Sequence, residues 1–327
     1  MTRAITGAGR RPSLVNLPRV TALGGGHGLY ASLQALRRIT DRLIAVVTVA
    51  DDGGSSGRLR DELDCLPPGD LRMALAALCG DDREGRLWAD VLQARFQGTG
   101  CLNGHAIGNL LIAGLWDRLG DPVAGLRMVG ELLHVRGTVL PMCELPLSIE
   151  ADIRGLDPLH PDRTGTIHGQ ATVAKTRGEV RAVRLVPSGP PACPDAVEAI
   201  MASDFVVLGP GSWFTSVMPH LLVPQLAEAI CTTSARRILT LNIAPADETD
   251  GFSPSRHIEL LTQHAPDLAL DWVIADPVFA ANDPVLADRV AGLGATLVLA
   301  DVAMRDGSPR HDPLRLASAY GNVMSVW

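Results

Sequence analysis

Residues 43–60, LIAVVTVADDGGSSGRLR, constrain this chain more than any other stretch. An apolar, β-branched run ends abruptly in two aspartates, two glycines, two serines and an arginine. A short apolar run bounded by turn residues predicts a buried strand. In an open α/β sheet, ligands sit beyond the carboxyl ends of the strands. The loop after this strand is therefore a candidate site. It carries the carboxylates Asp51 and Asp52, backbone N–H groups at Gly53 and Gly54, the hydroxyls of Ser55 and Ser56, and the Arg58 guanidinium. The same residues also suit a solvated turn followed by a helix cap.

The flanking pattern extends this to an α/β chain. A strand at about 19–24 leads into GGGHG and a helical stretch, LYASLQALRRI, before the strand at 43–50. That β–loop–α–β start opens nucleotide-binding α/β folds. Pro67, Pro68 and Gly69 break the chain, and Asp70 is placed to cap a helix running through Cys79, with Arg72 in its first turn. Helices are predicted at 84–96, 106–119 and 122–133. From about 138 to 187 apolar and polar residues alternate, with a turn near Arg177 and Gly178. That predicts a small antiparallel β insertion. Strands follow at 204–209, 236–242, 270–276 and 296–301, helices at 253–264 and near 284–290, and a last helix after Arg310-His311-Asp312. Residues 1–18 show no period and read as a loose tail, which leaves 19–327 as one α/β domain.

Composition removes several function classes. A formal charge of −7 argues against a general nucleic-acid binder. Lys175 is the one lysine of 327 residues, so there is no Walker-A lysine and little scope for Schiff-base chemistry. The six cysteines are scattered without a C-x-x-C pair, which argues against structural zinc and a disulfide framework. Residues 1–18 lack the continuous apolar stretch of a signal peptide. No run of about 18 apolar residues predicts a membrane span. A cytoplasmic protein is expected.

Three further stretches carry chemistry. Gly24-Gly25-Gly26-His27-Gly28 joins a strand to a helix, where backbone N–H groups and the helix dipole favour an anion. Gly26, Gly28 and Ala31 also satisfy G-x-G-x-x-A, with Asp51 at the end of the next strand, so a dinucleotide site competes. Gly209-Pro210-Gly211-Ser212, with Thr215 and Ser216 behind it, is a second such loop. Two of them suit a diphosphate or two phosphorylated ligands. Gly104-His105-Ala106-Ile107-Gly108-Asn109 offers His105 as a donor or acid/base, or as an ordinary helix-start residue. A carboxylate at about 4 Å from a phosphate costs about 4 kcal/mol at an effective dielectric near ~20. Asp51 and Asp52 must therefore accept from a ribose or amide, or share a Mg²⁺ with the phosphates.

Together and in this order, GGGHGL at 24–29, TVADDGGSSGRLRDEL at 48–63, PPGDLR at 67–72, GHAIGNLLIA at 104–113, VRGTVLP at 135–141 and GPGSWFTSVMPHLLVP at 209–224 resemble the YvcK-type gluconeogenesis factor family. That family lies in the CofD-like superfamily, named for 2-phospho-L-lactate transferase. The resemblance runs from about 19 to 265, with an echo at 310–312. It implies a Rossmann-like three-layer α/β/α fold with a mostly parallel sheet. It also implies a cytoplasmic bacterial protein that binds UDP-sugars such as UDP-N-acetylglucosamine and acts in growth and cell shape on gluconeogenic carbon sources. No firm enzymatic activity comes with this branch. The related transferase branch uses a nucleotide-diphosphate donor and Mg²⁺.

On that reading the amides of residues 24–28 and 209–212 hold phosphates, and Asp51 and Asp52 hold Mg²⁺ or a ribose. Arg58, Arg72 or Arg310 neutralises charge, and Asp70, His105, Asn109 and Asn242 complete the site. No cofactor is required, and a role for Mg²⁺ and a homo-oligomer are both open. The alternatives are a CofD-like transferase with Asp51 or Asp52 on the metal, and a nicotinamide-dependent oxidoreductase. Some residues depart from the family pattern. His27 stands for a threonine, Trp213-Phe214 for a Leu-Tyr pair and His220 for an asparagine. These bear on sugar or base specificity.

Overall fold

The computed structural model describes residues 17–325, except 158, 161, 177 and 246. The expected tail therefore lies almost wholly outside the described residues, as does Arg177 of the expected turn. Ten strands are described: β1 (Val20–Gly24), β2 (Leu43–Val47), β3 (Thr138–Pro141), β4 (Ser148–Arg154), β5 (Thr164–His168), β6 (Glu179–Val186), β7 (Phe205–Leu208), β8 (Arg236–Thr240), β9 (Trp272–Ala275) and β10 (Thr296–Leu299). Seven form one parallel sheet in the order β10-β9-β8-β7-β1-β2-β3. The other three form an antiparallel sheet, β5-β4-β6.

The parallel strands carry apolar residues on both faces because helices cover both faces. All of β1 and β7 is buried, as is nearly all of β2. Helices α1 (Gly26–Leu36), α2 (Gly54–Leu63), α3 (Pro68–Leu78), α4 (Arg83–Gln93), α5 (Ile107–Leu119) and α6 (Pro122–Leu132) lie between β1 and β3. Their ends follow local chemistry. Asp82 caps α4 through Gly85 N–H, Asp121 caps α6 ahead of Pro122, and α5 stops at Gly120 in the left-handed region, φ 68°. The short α7 (Gln170–Val173) sits within the small sheet. Helices α8 (Pro194–Met201), α9 (Pro219–Leu222), α10 (Pro224–Thr232), α11 (Pro254–His264), α12 (Pro277–Ala280), α13 (Leu286–Gly292) and α14 (Pro313–Ser325) complete the layers.

The chain runs outward from β1 through β2 to β3, then returns to place β7 on the other side of β1. That reversal makes β1/β7 the topological switch point, where α/β sheets open a crevice. Val20 lies opposite Phe205 and Leu23 opposite Leu208, so the two strands end level and their loops adjoin.

Three expectations shift. The antiparallel insertion begins at Ser148 and not near 138, because residues 138–141 are buried apolar residues paired parallel with β2. Ile149, Ala151 and Ile153 of β4 join the same hydrophobic core as the parallel sheet, while Glu150 and Asp152 face out and pair with Arg184 at 2.7 and 2.9 Å. The stretch read as a loop at 51–58 is helical from Gly54, whose φ of +51° suits glycine. Finally, α3 starts at Pro68, a favoured first-turn residue, so Asp70 occupies the third helical position and caps nothing.

Candidate functional site

A cleft of about 740 Å³ opens at the switch point. Its floor is the loop after β1 and the loop after β7. Helix α1 begins at Gly26, three residues earlier than its apolar period suggests, so His27, Tyr30, Ala31 and Gln34 fall on one helical face and line the cleft. Across it stand Pro210, Gly211, Ser212 and Ser216, the last from the π-helical turn Trp213–Val217, which Ser212 precedes. Asn242, Met304, Arg310 and His311 close one end, and Asp70 and Gln170 line it as well.

The glycines are needed because the loops touch. A Cβ on Gly28 would lie 2.3 Å from the Pro210 carbonyl oxygen and 2.6 Å from Gly211 Cα. A Cβ on Gly25 would lie 2.5 Å from both Asp70 Oδ2 and Thr48 Cγ2. Several amides of the two loops already have partners. Gly26 N–H faces the Asp70 carboxyl and favours its charged form. Asn242 clamps Gly211 from both sides, accepting its N–H at 2.9 Å and donating to its carbonyl at 2.9 Å. Phe214 N–H donates to buried Glu248 Oε1 at 3.1 Å. The side-chain donors left facing the cleft include Ser212, Ser216, His27 and Arg310. Arg310 is largely exposed and pairs with Asp306 at 3.1 Å. Gly24 ends β1 behind the cleft, Gly209 turns at φ +69°, and the Thr215 hydroxyl is buried without a hydrogen-bond partner.

The loop after β2 divides. Asp51 Oδ1 accepts Gly53 N–H at 2.9 Å. Burial pushes its carboxyl up, opposed by Gly53 N–H and the Ser56 hydroxyl, with Asp52 adding to the rise. Asp70 is pushed up to about 7, first by burial and then by the charge of Asp51, against Gly26 N–H and Arg72. Gly69 brings the two carboxyls close, since a Cβ there would lie 2.9 Å from Asp51 Oδ2 and 2.3 Å from Ser56 Oγ. Asp52 turns the other way. Its Oδ1 accepts Ala171 N–H of α7 at 2.8 Å. Asp51 thus lies beside both other carboxyls: the charge of Asp52 raises Asp51, and the charge of Asp51 raises Asp70. Two carboxylates, with ligand phosphates and water, make an ordinary Mg²⁺ donor set. Among the described residues no cluster of three or more metal-ligating side chains occurs.

The remaining expected residues form a support network beside the cleft and do not line it. Ser55 Oγ accepts from Asn109 Nδ2 at 3.0 Å and from Ala106 N–H, and so donates to His105 Nδ1 at 3.0 Å. That leaves His105 neutral, consistent with burial and then Arg58 lowering its pKa. Arg72, buried, donates to Asn109 Oδ1 at 2.8 Å and to Gln93. Burial and Arg95 lower it to about 10, so it stays charged at neutral pH. Arg58 donates to the carbonyls of Cys101 and Asn103 and ties down that loop. Tyr30, Gln34, Gln170 and Met304 were not expected. The first two follow from helical spacing once α1 is started at Gly26. Gln170 and Met304 carry no local signal.

The fold and cleft define a Rossmann-like α/β protein with a crevice at its switch point. The chain belongs to the CofD family, described as "2-phospho-L-lactate transferase CofD", which it matches over residues 20–304. Within that family it is similar to proteins named as gluconeogenesis factors, the YvcK type. It is 56% identical over 308 residues to one from Mycobacterium tuberculosis (strain H37Rv), covering 93% of this chain and 90% of that protein. It is 32% identical over 314 residues to one from Listeria monocytogenes, covering 92% and 94%. A crystal structure of a Bacillus halodurans member of the UPF0052 family superposes with a TM-score of 0.81 at 33% identity, covering 92% of this chain and 98% of that one.

Proposed function

We propose that this protein binds a UDP-sugar, such as UDP-N-acetylglucosamine, and acts as a regulatory protein of the gluconeogenesis factor type, in growth and cell shape on gluconeogenic carbon sources. The observation that carries the reading is the cleft at the β1/β7 switch point, walled by two glycine-rich strand-to-helix loops. Its size suits a small-molecule ligand. The serines and His27 suit a diphosphate, and Arg310, paired with Asp306, adds a positive charge. Mg²⁺ between Asp51, Asp70 and the phosphates would supply charge neutralisation. Around it, this chain's own residues orient the ligand: Asn242 holds Gly211, and the Ser55–His105–Asn109–Arg72 network holds α2, α3 and α5 together.

UDP-N-acetylglucosamine should raise the melting temperature through binding to the folded state. NAD⁺ and NADP⁺ at the same concentration should raise it less. Stabilisation by nicotinamide dinucleotides alone would overturn this reading in favour of the oxidoreductase. The second reading, a transferase using a nucleotide-diphosphate donor, is favoured by the family description and by the Asp51–Asp70 pair. Incubation with UDP-N-acetylglucosamine and Mg²⁺ should leave the nucleotide-sugar intact. Steady multiple-turnover release of UDP would establish the transferase instead.

A further inference from the structure

The small antiparallel sheet reaches the main cleft at one point, and the contact is built from both sides. Gly169 turns at φ +90°, and a Cβ there would lie 2.2 Å from Asp52 Oδ2. Ala171 N–H donates to Asp52 Oδ1 at 2.8 Å. A Cβ on Gly53 would lie 3.7 Å from Ala171 Cβ. Between Gly169 and Ala171 sits Gln170, half-buried and lining the cleft that Asp70 also lines. Helix α7 also packs against β4 and against the turn Trp213–Val217 of the second glycine loop.

We propose that Gln170 reads the sugar of the bound nucleotide-sugar, and that Asp52 is a positioning residue that holds Gln170 in place through the Ala171 amide. This rests on the UDP-sugar reading and deepens it. A neutral amide offers one acceptor and two donors, which matches the hydroxyl and N-acetyl groups of a pyranose better than a phosphate. The peptide is fixed by the Asp52 bond and by the close approach at Gly169. The amide is thus presented by a rigid short helix, which limits the ordering cost of binding. The small sheet is then the part of the molecule that selects the sugar, while the parallel sheet holds the diphosphate.

The test is titration calorimetry of wild type, Gln170→Ala, Asp52→Ala, Asp52→Asn and the Gln170→Ala/Asp52→Ala double variant, each with UDP-N-acetylglucosamine and with UDP. Gln170→Ala should weaken the nucleotide-sugar about tenfold, the worth of one or two hydrogen bonds, and leave UDP within about twofold. Asp52→Ala should show the same selective loss, and the double variant no more than either single one. Asp52→Asn keeps an acceptor for Ala171 N–H and should recover most of the affinity. Hydrogen exchange at Ala171 should quicken in Asp52→Ala and stay slow in Asp52→Asn, which checks the positioning even in a destabilised variant. Wild type that binds the nucleotide-sugar while Gln170→Ala binds it equally well overturns this inference and leaves the proposed function standing. Equal losses for UDP and the nucleotide-sugar overturn it too. Failure of wild type to bind any UDP-sugar overturns the proposed function and this inference together.

Discussion

After β1 the chain runs Gly25-Gly26-His27-Gly28 into a regular α-helix. After β7 it runs Gly209-Pro210-Gly211-Ser212 into a π-helical turn. Both loops are glycine-rich and meet at the floor of one cleft, yet different groups face their amides. In the first, Gly26 N–H faces Asp70, a titratable carboxyl pushed up to about 7. In the second, Gly211 is held at N–H and carbonyl by the neutral amide of Asn242. At Gly211 the second loop is thus held by a side chain that does not titrate, while Phe214 N–H just beyond it goes to the carboxyl of Glu248. The first couples its charge to Asp70, and through Asp51 to the loop after β2.

Four experiments probe that comparison. The largest effect is expected where the loops touch. Gly28→Ala drives a methyl against backbone at Pro210 and Gly211, neither of which can rotate away. Urea unfolding should show a loss of about 1–3 kcal/mol or more, with nucleotide binding abolished. Gly114→Ala, where a Cβ meets nothing within 4 Å on exposed α5, should instead gain up to about 1 kcal/mol. A neutral Gly28→Ala would show that the loops do not adjoin.

Asn242→Ala comes next. It leaves the N–H and the carbonyl of half-buried Gly211 without their side-chain partner, which should cost about 1 kcal/mol for each hydrogen bond lost. Asn242→Asp keeps the acceptor for Gly211 N–H and loses the donor to its carbonyl, so its stability should fall between the two. The melting-temperature difference between each variant and wild type should be the same with and without Mg²⁺.

The first loop should behave differently. EDTA should weaken nucleotide binding by wild type about tenfold, near 1.4 kcal/mol. Asp51→Asn should abolish that chelator effect, and Asp52→Asn should leave it in place. A chelator effect lost in Asp52→Asn but kept in Asp51→Asn would return the metal to the other carboxylate.

The last effect is a slope with pH. The Asp70 carboxyl titrates near 7 when folded, against 3.8 for an unperturbed group. Between those values the unfolded chain has released a proton that the folded chain retains. Stability therefore falls as pH rises through that window and levels off above about 7. Asp70→Asn should remove this fall. Relative to wild type it should become more stable between pH 5 and pH 8 in melting experiments without Mg²⁺. A constant difference across that range would mean that Asp70 is not titrating there.

Much of this molecule was readable residue by residue. The run LIAVV is strand β2, and the alternation in SIEADIR and EVRAVRLV is the small sheet. Gly120 ends α5 and Ser253 caps α11, each a matter of neighbours in the chain. The two glycine loops at strand ends pointed to a cleft, and both line it. The misplacements have equally local causes. Residues 138–141 look like the start of an alternating segment because a four-residue strand holds too few positions to display its period. The Gly54–Leu63 helix was hidden by Gly and Ser, which favour turns as strongly as helix starts. Ser55, Arg72, His105 and Asn109 were read as ligand groups because their bonding types suit a phosphate. The folded chain uses the same capacity for one another.

Local pattern thus settled the element types and the strand-to-helix loops, since turn chemistry and hydrophobic period act over a few residues. Which polar group meets which was settled only when the sheet order set β1 between β2 and β7. That placement carries Asp70 to Gly26, Asn242 to Gly211, Glu248 to Phe214, and Ala171 to Asp52 across 119 positions of chain. Hydrogen bonds have a reach of about 3 Å, and no spacing in the sequence encodes so short a distance between residues so far apart.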